Sequence, residues 1–332
     1  MRSADTSLAI LTYNEEANIG RALTSVLSGS ALPKEILVID NGSTDRTRLI
    51  VEAIREANIQ PPIRWIDSGS NNLGQARGLA VAEASGAWIA FMDADCEAPR
   101  DWFSRMVEAF SFYRIRFPEV AGIGGEACPP KEQHKFYEAL LGLRKSFLGH
   151  LNSPQARPIK RDIEVEHLPT TNCIFDRRLV REAGNFSEAF DRVCEDVELS
   201  LRLRAMGFRF LLVQGAGLIH HSGTSWEAWV ERIYRFGWGQ MMVASHHPKH
   251  IGLRLSLPIL FLCTFSAAIF FSIWYPYLLF FPLSYFLFVS LVALRIRADI
   301  FPRLTVLMIL THFSYAAGEL VGLITFRRII RG

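Results

Sequence analysis

Two aspartates, Asp93 and Asp95, flank a single alanine directly after the apolar run at residues 88–92. Carboxylates at i and i+2 on an extended or turning backbone can hold one hard cation, whose remaining positions go to phosphate oxygens. The same spacing also suits a solvated turn. Asp40 ends a second apolar run, where a carboxylate can accept hydrogen bonds from a base or ribose, or cap the Asn41-Gly42-Ser43 turn. Arg77 lies in Asn72-Leu73-Gly74-Gln75-Ala76-Arg77-Gly78, a loop-to-helix start suited to an anion. An arginine on an exposed helix face fits that segment too. Glu195 and Asp196 open a predicted helix, either complementing its dipole or offering a general base to a cleft. His220 falls between a predicted strand and a predicted helix, where a metal ligand and a structural histidine are both consistent with the sequence.

These residues need a scaffold that gathers them. Apolar, strand-like runs at 7–13, 35–40, 63–66 and 88–92 alternate with helical stretches at 14–27, 44–57 and 73–84. Asn14 is a good cap for the first helix, and Glu15 and Glu16 suit its positive start. A β-α-β-α-β-α-β order implies a doubly wound α/β fold, a Rossmann-like, mostly parallel sheet that binds ligands beyond the carboxyl ends of its strands. Thr12-Tyr13-Asn14, Asp40-Asn41 and Asp93-Ala94-Asp95 each stand at such an end. Beyond Asp95 the pattern loosens. A strand at 121–126 precedes a helix at 134–151, with Phe136, Leu140, Leu143, Phe147 and Leu151 at helical spacing as a core or membrane-surface stripe. Residues 152–162 form a basic, Pro-containing loop. Strands at 172–175 and 208–213, a helix at 195–206 and an aromatic-rich helix at 225–246 complete this part.

The chain has 332 residues, 50% hydrophobic and 21% charged, with a net charge of +3. Its mean hydropathy, +0.17, is high for a soluble domain. Both numbers come from the tail. Residues 255–294 contain no Asp, Glu, Lys, Arg or His, and 304–326 carry only His312 and Glu319. Six arginines against Asp299 and Glu319 give the last 78 residues +4 and leave the body at −1. Nucleic acid is excluded as a partner, because a nucleic-acid protein carries its positive charge on the body. Segments 255–274, 277–294 and 304–326 match the roughly twenty apolar residues that cross a bilayer, giving two or three transmembrane helices. Trp274, Tyr275, Tyr277 and Tyr285 suit interfacial positions. With no apolar leader at the start, the body is expected in the cytoplasm. Three spans put Arg295, Arg297 and Arg303 on that side but Arg327 and Arg328 on the other, against the positive-inside rule. A tilted or re-entrant third segment removes the conflict. The five cysteines include no C-x-x-C pair, which fits a reducing compartment better than a disulfide framework or zinc site.

Taken in order, Thr12-Tyr13-Asn14-Glu15-Glu16, Val38-Ile39-Asp40-Asn41-Gly42-Ser43-Thr44-Asp45, Gly74-Gln75-Ala76-Arg77 and Phe91-Met92-Asp93-Ala94-Asp95 resemble the family 2 glycosyltransferases of GT-A fold. Glu195-Asp196 with Glu198 and Arg202, and His220 with Ser225, extend the resemblance over residues 7–240. It implies transfer of a sugar, with inversion, from a nucleotide-diphosphate donor (a UDP- or GDP-sugar). Thr12, Asn14, Glu15, Asp40, Arg77 and Asp93 then look like nucleotide contacts, and Asp95, with Asp93 and His220, like ligands of Mg²⁺ or Mn²⁺. Asp196 looks like the base that deprotonates the acceptor, with Glu195 beside it. Asn41 departs from the frequent second acid, Gly78 from a frequent Asn, and no clear Q-x-x-R-W is present. The last point disfavours a processive polysaccharide synthase.

The expectation is therefore a cytoplasmic GT-A domain at 1–250, with a nucleotide half at about 1–98 and an acceptor half at about 99–250. A membrane domain follows at 251–332. The enzyme is expected at the plasma or inner membrane, meeting the lipid bilayer and a lipid-linked or membrane glycan acceptor. A polyprenyl-phosphate glycosyltransferase and a non-catalytic membrane scaffold are the competing readings.

Overall fold

The computed structural model of the chain describes residues 5–130, 135–149, 159–221, 225–250 and 253–330. In chain order the first elements are β1 (Thr6–Thr12), α1 (Ile19–Leu27), β2 (Glu35–Asp40), α2 (Thr47–Ala57), β3 (Ile63–Asp67), α3 (Leu73–Glu83) and β4 (Trp88–Asp93). There follow β5 (Cys96–Glu97), α4 (Trp102–Arg116), β6 (Val120–Gly124), β7 (Ala127–Cys128), α5 (Lys135–Lys145), β8 (Ile163–Val165) and β9 (Asn172–Asp176). Then come α6 (Arg177–Glu182), α7 (Glu195–Ala205), β10 (Arg209–Leu212), β11 (Leu218–His220) and α8 (Trp226–His246). The apolar end holds α9 (Leu253–Phe271), α10 (Phe280–Ile296) and α11 (Phe301–Ile330).

Two compact units result. The first comprises Met1–Pro130 and Pro154–Ser222, the second Lys131–Ser153 and Gly223–Gly332. The sequence sets a boundary near residue 250, whereas the structure divides the chain after Ser222 and gives α5 to the second unit. Packing explains the difference. Phe136, Leu140 and Leu143 of α5 and Trp229 and Ile233 of α8 join Val289, Ala293, Leu304, Leu307 and Met308 in one apolar cluster. So the stripe on α5 is core at those three positions, while Phe147 is exposed and Leu151 lies outside the described residues.

The first unit is built on an eight-stranded sheet of order β3-β2-β1-β4-β9-β6-β10-β8. Its β3-β2-β1-β4 half is parallel, as the alternating pattern requires. β9 runs antiparallel to both β4 and β6, so the sheet is mixed and dominated by parallel pairs. Alternate residues of β1 feed opposite faces. Leu8 and Ile10 pack with α1, α2 and α4, and Ala9 and Leu11 pack with α3, α6 and α7. A second sheet, β5-β11-β7, sits beyond the end of β4. The expected helix at 14–27 begins only at Ile19. Asn14 instead takes φ +53°, a left-handed conformation that asparagine tolerates.

In the second unit, Pro276–Ile296 and Phe301–Phe326 are long and apolar enough to cross a membrane, and Leu255–Phe271 is apolar but shorter.

Candidate active site

The sheet register brings the polar strand ends together. Thr12 stands level with Asp40, and Leu11 level with Asp93. Between β1 and β2 the two following loops are cross-tied. The Asn14 N–H donates to Ser43 Oγ (2.8 Å), and Asn14 Oδ1 accepts from the Thr44 N–H (2.8 Å). The Glu15 N–H donates to Thr47 Oγ1, and the Glu16 N–H to Asp45 Oδ2. Asp40 is buried, and its carboxylate accepts from the Gly42 and Ser43 N–H groups and the Ser43 hydroxyl. The turn-capping role is thus realised. Gly42, at φ +88°, lets the backbone wrap around the carboxylate. Thr12 Oγ1 is buried with no hydrogen-bond partner among the described residues, an unused donor at the same edge.

Arg77 does not lie on an exposed face. Its side chain is 7% exposed and forms an ion pair with Glu195, itself 4% exposed. A second guanidinium nitrogen lies 3.6 Å from Asp93 Oδ1. Asn72 starts this helix, its Oδ1 accepting from the Gln75 N–H (2.9 Å). Asp93 is held from its other side by the Thr171 hydroxyl, which donates to Oδ2 (2.7 Å). Arg77, Asp93, Thr171 and Glu195 therefore form one connected set.

The three acids opening α7 part ways. Glu195 is committed to Arg77, and Glu198 to Arg202 at 2.6 Å. Asp196 has no ion pair among the described residues. One of its oxygens accepts from the Val197 N–H (2.7 Å), and the residue is half-buried. Cys194, left-handed at φ +66°, turns the chain into this helix. Burial pushes the Cys173 thiol well above its ordinary value. The Arg77 charge opposes that, and Asp196 and Asp93 add to it, so all three groups surround this strand residue.

Strand pairing builds the second cluster. β11 aligns His220 with Cys96, and the His221 N–H donates to the Asp95 carbonyl (2.9 Å). His220 Nε2 then lies 3.1 Å from Asp95 Oδ2, and ligand atoms of Asp95, Cys96 and His220 all fall within 4.8 Å of one another. Burial, and then the negative charges of Asp93 and Asp95, push the Cys96 thiol well above its usual value. Asp95 and His220 offer an O/N donor pair. Adjacent ligands of an octahedral cation at about 2.1 Å lie roughly 3.0 Å apart, so the pair fits a divalent ion. Asp93, expected as a further ligand, lies 3.6 Å from an Arg77 nitrogen and accepts from the Thr171 hydroxyl. Burial raises the Glu15 carboxyl; the Asn18 amide opposes this, and Asp95, Asp93 and Asp45 reinforce it. Negative charge is therefore concentrated where a cation would sit.

Thr171 and Asn172 are site residues that sequence reasoning misses. Asn172 is fully buried. Its Oδ1 accepts from the Trp102 indole N–H (3.0 Å), and its Nδ2 donates to the carbonyls of Glu126 and Ala216 (both 2.8 Å). It ties the start of β9 to the chain leading into β11. The available signal was a polar residue opening an apolar strand. His221 also pairs with Glu97, at 3.0 Å, beside the Asp95–His220 pair.

Residues 7–182 match the Glycosyl transferase family 2 domain. The chain is 29% identical over 248 residues to the succinoglycan biosynthesis protein ExoO of Rhizobium meliloti (strain 1021), covering 73% of this chain and 66% of that protein. It is 24% identical over 244 residues to the N-acetylglucosaminyl-diphospho-decaprenol L-rhamnosyltransferase of Mycobacterium tuberculosis (strain ATCC 25618 / H37Rv), covering 65% and 75%. With glycosyltransferase AglE of Haloferax volcanii the identity is 37% over 110 residues, 32% of this chain and 35% of that one. The chain thus spans from about a third to two thirds of the length of ExoO and AglE. Among solved structures, the mannosyltransferase PcManGT from Pyrobaculum calidifontis, in complex with GDP-Man and Mn²⁺, shares the fold. Its TM-score is 0.59 at 17% identity, over 95% of this chain and 87% of that one. TarS 1–349 of S. aureus, in complex with UDP, gives 0.51 at 16% identity, over 98% and 91%. With its doubly wound sheet and its matched domain, the chain belongs to glycosyl transferase family 2.

Proposed function

We propose that this chain transfers a sugar, with inversion, from a UDP- or GDP-sugar to a hydroxyl of a lipid-linked glycan at the cytoplasmic face of a membrane. The observation that carries the reading is the Asp95–His220 donor pair, built at the strand edge that also gathers Arg77, Asp93 and Thr12. The mannosyltransferase neighbour was solved with GDP-Man and Mn²⁺ and the TarS neighbour with UDP, which supports a nucleotide donor. The name of the mycobacterial relative supports a lipid-linked acceptor. The apolar helices α9 to α11 would keep the enzyme where such an acceptor lives.

Asp95 and His220 would hold Mg²⁺ or Mn²⁺, which supplies charge neutralisation for the departing diphosphate. The strand ends at Thr12, Asn14, Glu15 and Asp40 would take the nucleoside, with the Thr12 hydroxyl as an available donor. Thr171 and Arg77 fix the Asp93 carboxylate from two sides. Arg77 also fixes Glu195, which sets the first turn of α7 and leaves Asp196 to act as base. The acceptor oxygen attacks the anomeric carbon as the bond to the diphosphate breaks, and its proton passes to the Asp196 carboxylate. One base and one displacement invert the centre.

Purified full-length protein, given Mn²⁺ and a panel of labelled UDP- and GDP-sugars, tests this with two acceptors: glycan-bearing lipid and polyprenyl phosphate. Label on the glycan lipid, lost in Asp196→Asn, is expected. Full activity of Asp196→Asn on polyprenyl phosphate identifies the lipid-phosphate enzyme instead, because an ionised phosphate needs no base. Failure to bind any nucleotide with Mn²⁺ revives the scaffold reading.

A further inference from the structure

The second unit contains a helix pair that three membrane crossings do not accommodate. α8 and α11 run side by side in the same direction. The Trp229 indole N–H donates to Thr311 Oγ1 (2.9 Å), and the Trp238 ring lies 5.1 Å from that of Phe326. Between these points the backbones almost touch. A Cβ on Gly237 would meet the Tyr315 carbonyl, one on Gly318 the Tyr234 carbonyl, and one on Gly322 the Trp238 carbonyl and the Met241 side chain. The middle of the apolar stretch Phe301–Phe326, near residue 313, is therefore level with residues 229–234 of α8. Just there α8 exposes Glu227, Glu231, Arg232 and Arg235. Were α11 to cross the bilayer, these four charges would be carried to the depth of the hydrocarbon, where ionised side chains are rare and costly.

Burial and charge order agree. Of the α11 apolar window 39% is buried, against 17% for Pro276–Ile296, and no side chain between Leu307 and Leu320 is exposed. α11 is covered on one side by α8. On another it meets the α9–α10 pair, through Phe313 against Phe261 and Phe265 and through His312 Nδ1 accepting from the Tyr285 hydroxyl (2.9 Å). The lipid-facing surface belongs to α9, α10 and the turn between them, where Phe270, Ile273, Trp274, Tyr277, Phe280 and Leu283 are exposed. A crossing α11 also puts Arg295, Arg297 and Arg303 on the opposite face from Arg327 and Arg328. Held along the surface, it leaves both groups on one face, as the positive-inside rule requires.

We propose that α11 does not cross the bilayer. The α8–α11 pair lies along the membrane surface with the Glu227–Glu231–Arg232–Arg235 edge in water, and only the α9–α10 hairpin enters the hydrocarbon. Both ends of the chain then lie on the same face of the membrane. This concerns how the second unit meets lipid and stands whether or not the transfer reaction is the proposed one. The test is protease protection of the full chain carrying a small epitope tag before Met1 or after Gly332, expressed in a bacterial host. Both tags should be cleaved in inverted inner-membrane vesicles and both protected in spheroplasts. Cleavage of the C-terminal tag in spheroplasts, with the N-terminal tag protected, overturns the proposal. So does recovery of the chain in the soluble fraction.

Discussion

Arg77 and Glu195, 118 positions apart in the chain, meet as a buried ion pair that joins the start of α3 to the start of α7. Through the same guanidinium this pair also reaches Asp93. One arginine thus couples the strand end beside the Asp95–His220 pair to the helix that carries Asp196, the proposed base.

Removing one member should leave the other buried and uncompensated. Arg77→Leu or Glu195→Leu is expected to cost about 3–5 kcal/mol, while the double variant costs clearly less than the sum. Denaturant unfolding of the detergent-solubilised protein checks this. Strict additivity would show that the two charges are not coupled.

Asp196→Asn is expected to slow transfer to a hydroxyl acceptor by about 10²–10⁴-fold, the usual worth of a positioned base. Because Asp196 has no ion pair among the described residues, its unfolding midpoint should barely move. Glu195→Gln should lose activity and stability together. Steady-state turnover beside thermal unfolding separates the two patterns, and equal behaviour would reverse the roles assigned here.

Glu35 gives a pH prediction. Burial pushes its carboxyl up, but the Ser85 N–H and hydroxyl, the Ser7 hydroxyl and Arg64 outweigh burial and hold it below the ordinary value. A depressed folded-state value means the carboxylate stabilises the fold above the unfolded value and loses that effect as pH falls through the folded one. Glu35→Gln should therefore cost about 1–3 kcal/mol at pH 7. The gap to the wild type should close below about pH 4. Thermal midpoints across pH measure the gap, and one that widened in acid would refute the assignment.

Gly318→Leu tests the close approach of α8 and α11. Replacing glycine in a helix gains up to about 1 kcal/mol in propensity, but overpacking against the Tyr234 carbonyl costs about 1–3 kcal/mol. A net loss of stability is expected, read as a lowered midpoint in detergent. A stabilised variant would mean that the helices are not in contact there.

The parallel half of the sheet was legible because its strands are apolar runs separated by helical periods, and so were the polar strand ends. The rest was hidden for identifiable reasons. β5, β7 and β11 are two or three residues long and carry no period, so the platform that aligns His220 with Cys96 could not be read. α4 repeats Trp102, Phe103, Met106, Val107 and Phe110 at helical spacing, but Arg105 and Glu108 between them mask the pattern. Asn14 reads as a helix cap and is instead a clamp between two loops, because tertiary hydrogen bonds to Ser43 and Thr44 decide its conformation. Arg77 reads as a surface or anion-binding arginine. Its partner lies too far along the chain for any local pattern to show.

On the proposed function, Asp95 and His220 hold a divalent cation that helps bind and release the nucleotide diphosphate. The most direct test is calorimetric titration of the full-length protein with UDP and with GDP, each in Mn²⁺ and in EDTA. One nucleotide should bind at least about tenfold more tightly with Mn²⁺, roughly 1.4 kcal/mol, and Asp95→Asn should lose that gain while keeping its unfolding midpoint. Equal affinity in Mn²⁺ and EDTA, or a gain that survives in Asp95→Asn, would contradict the account.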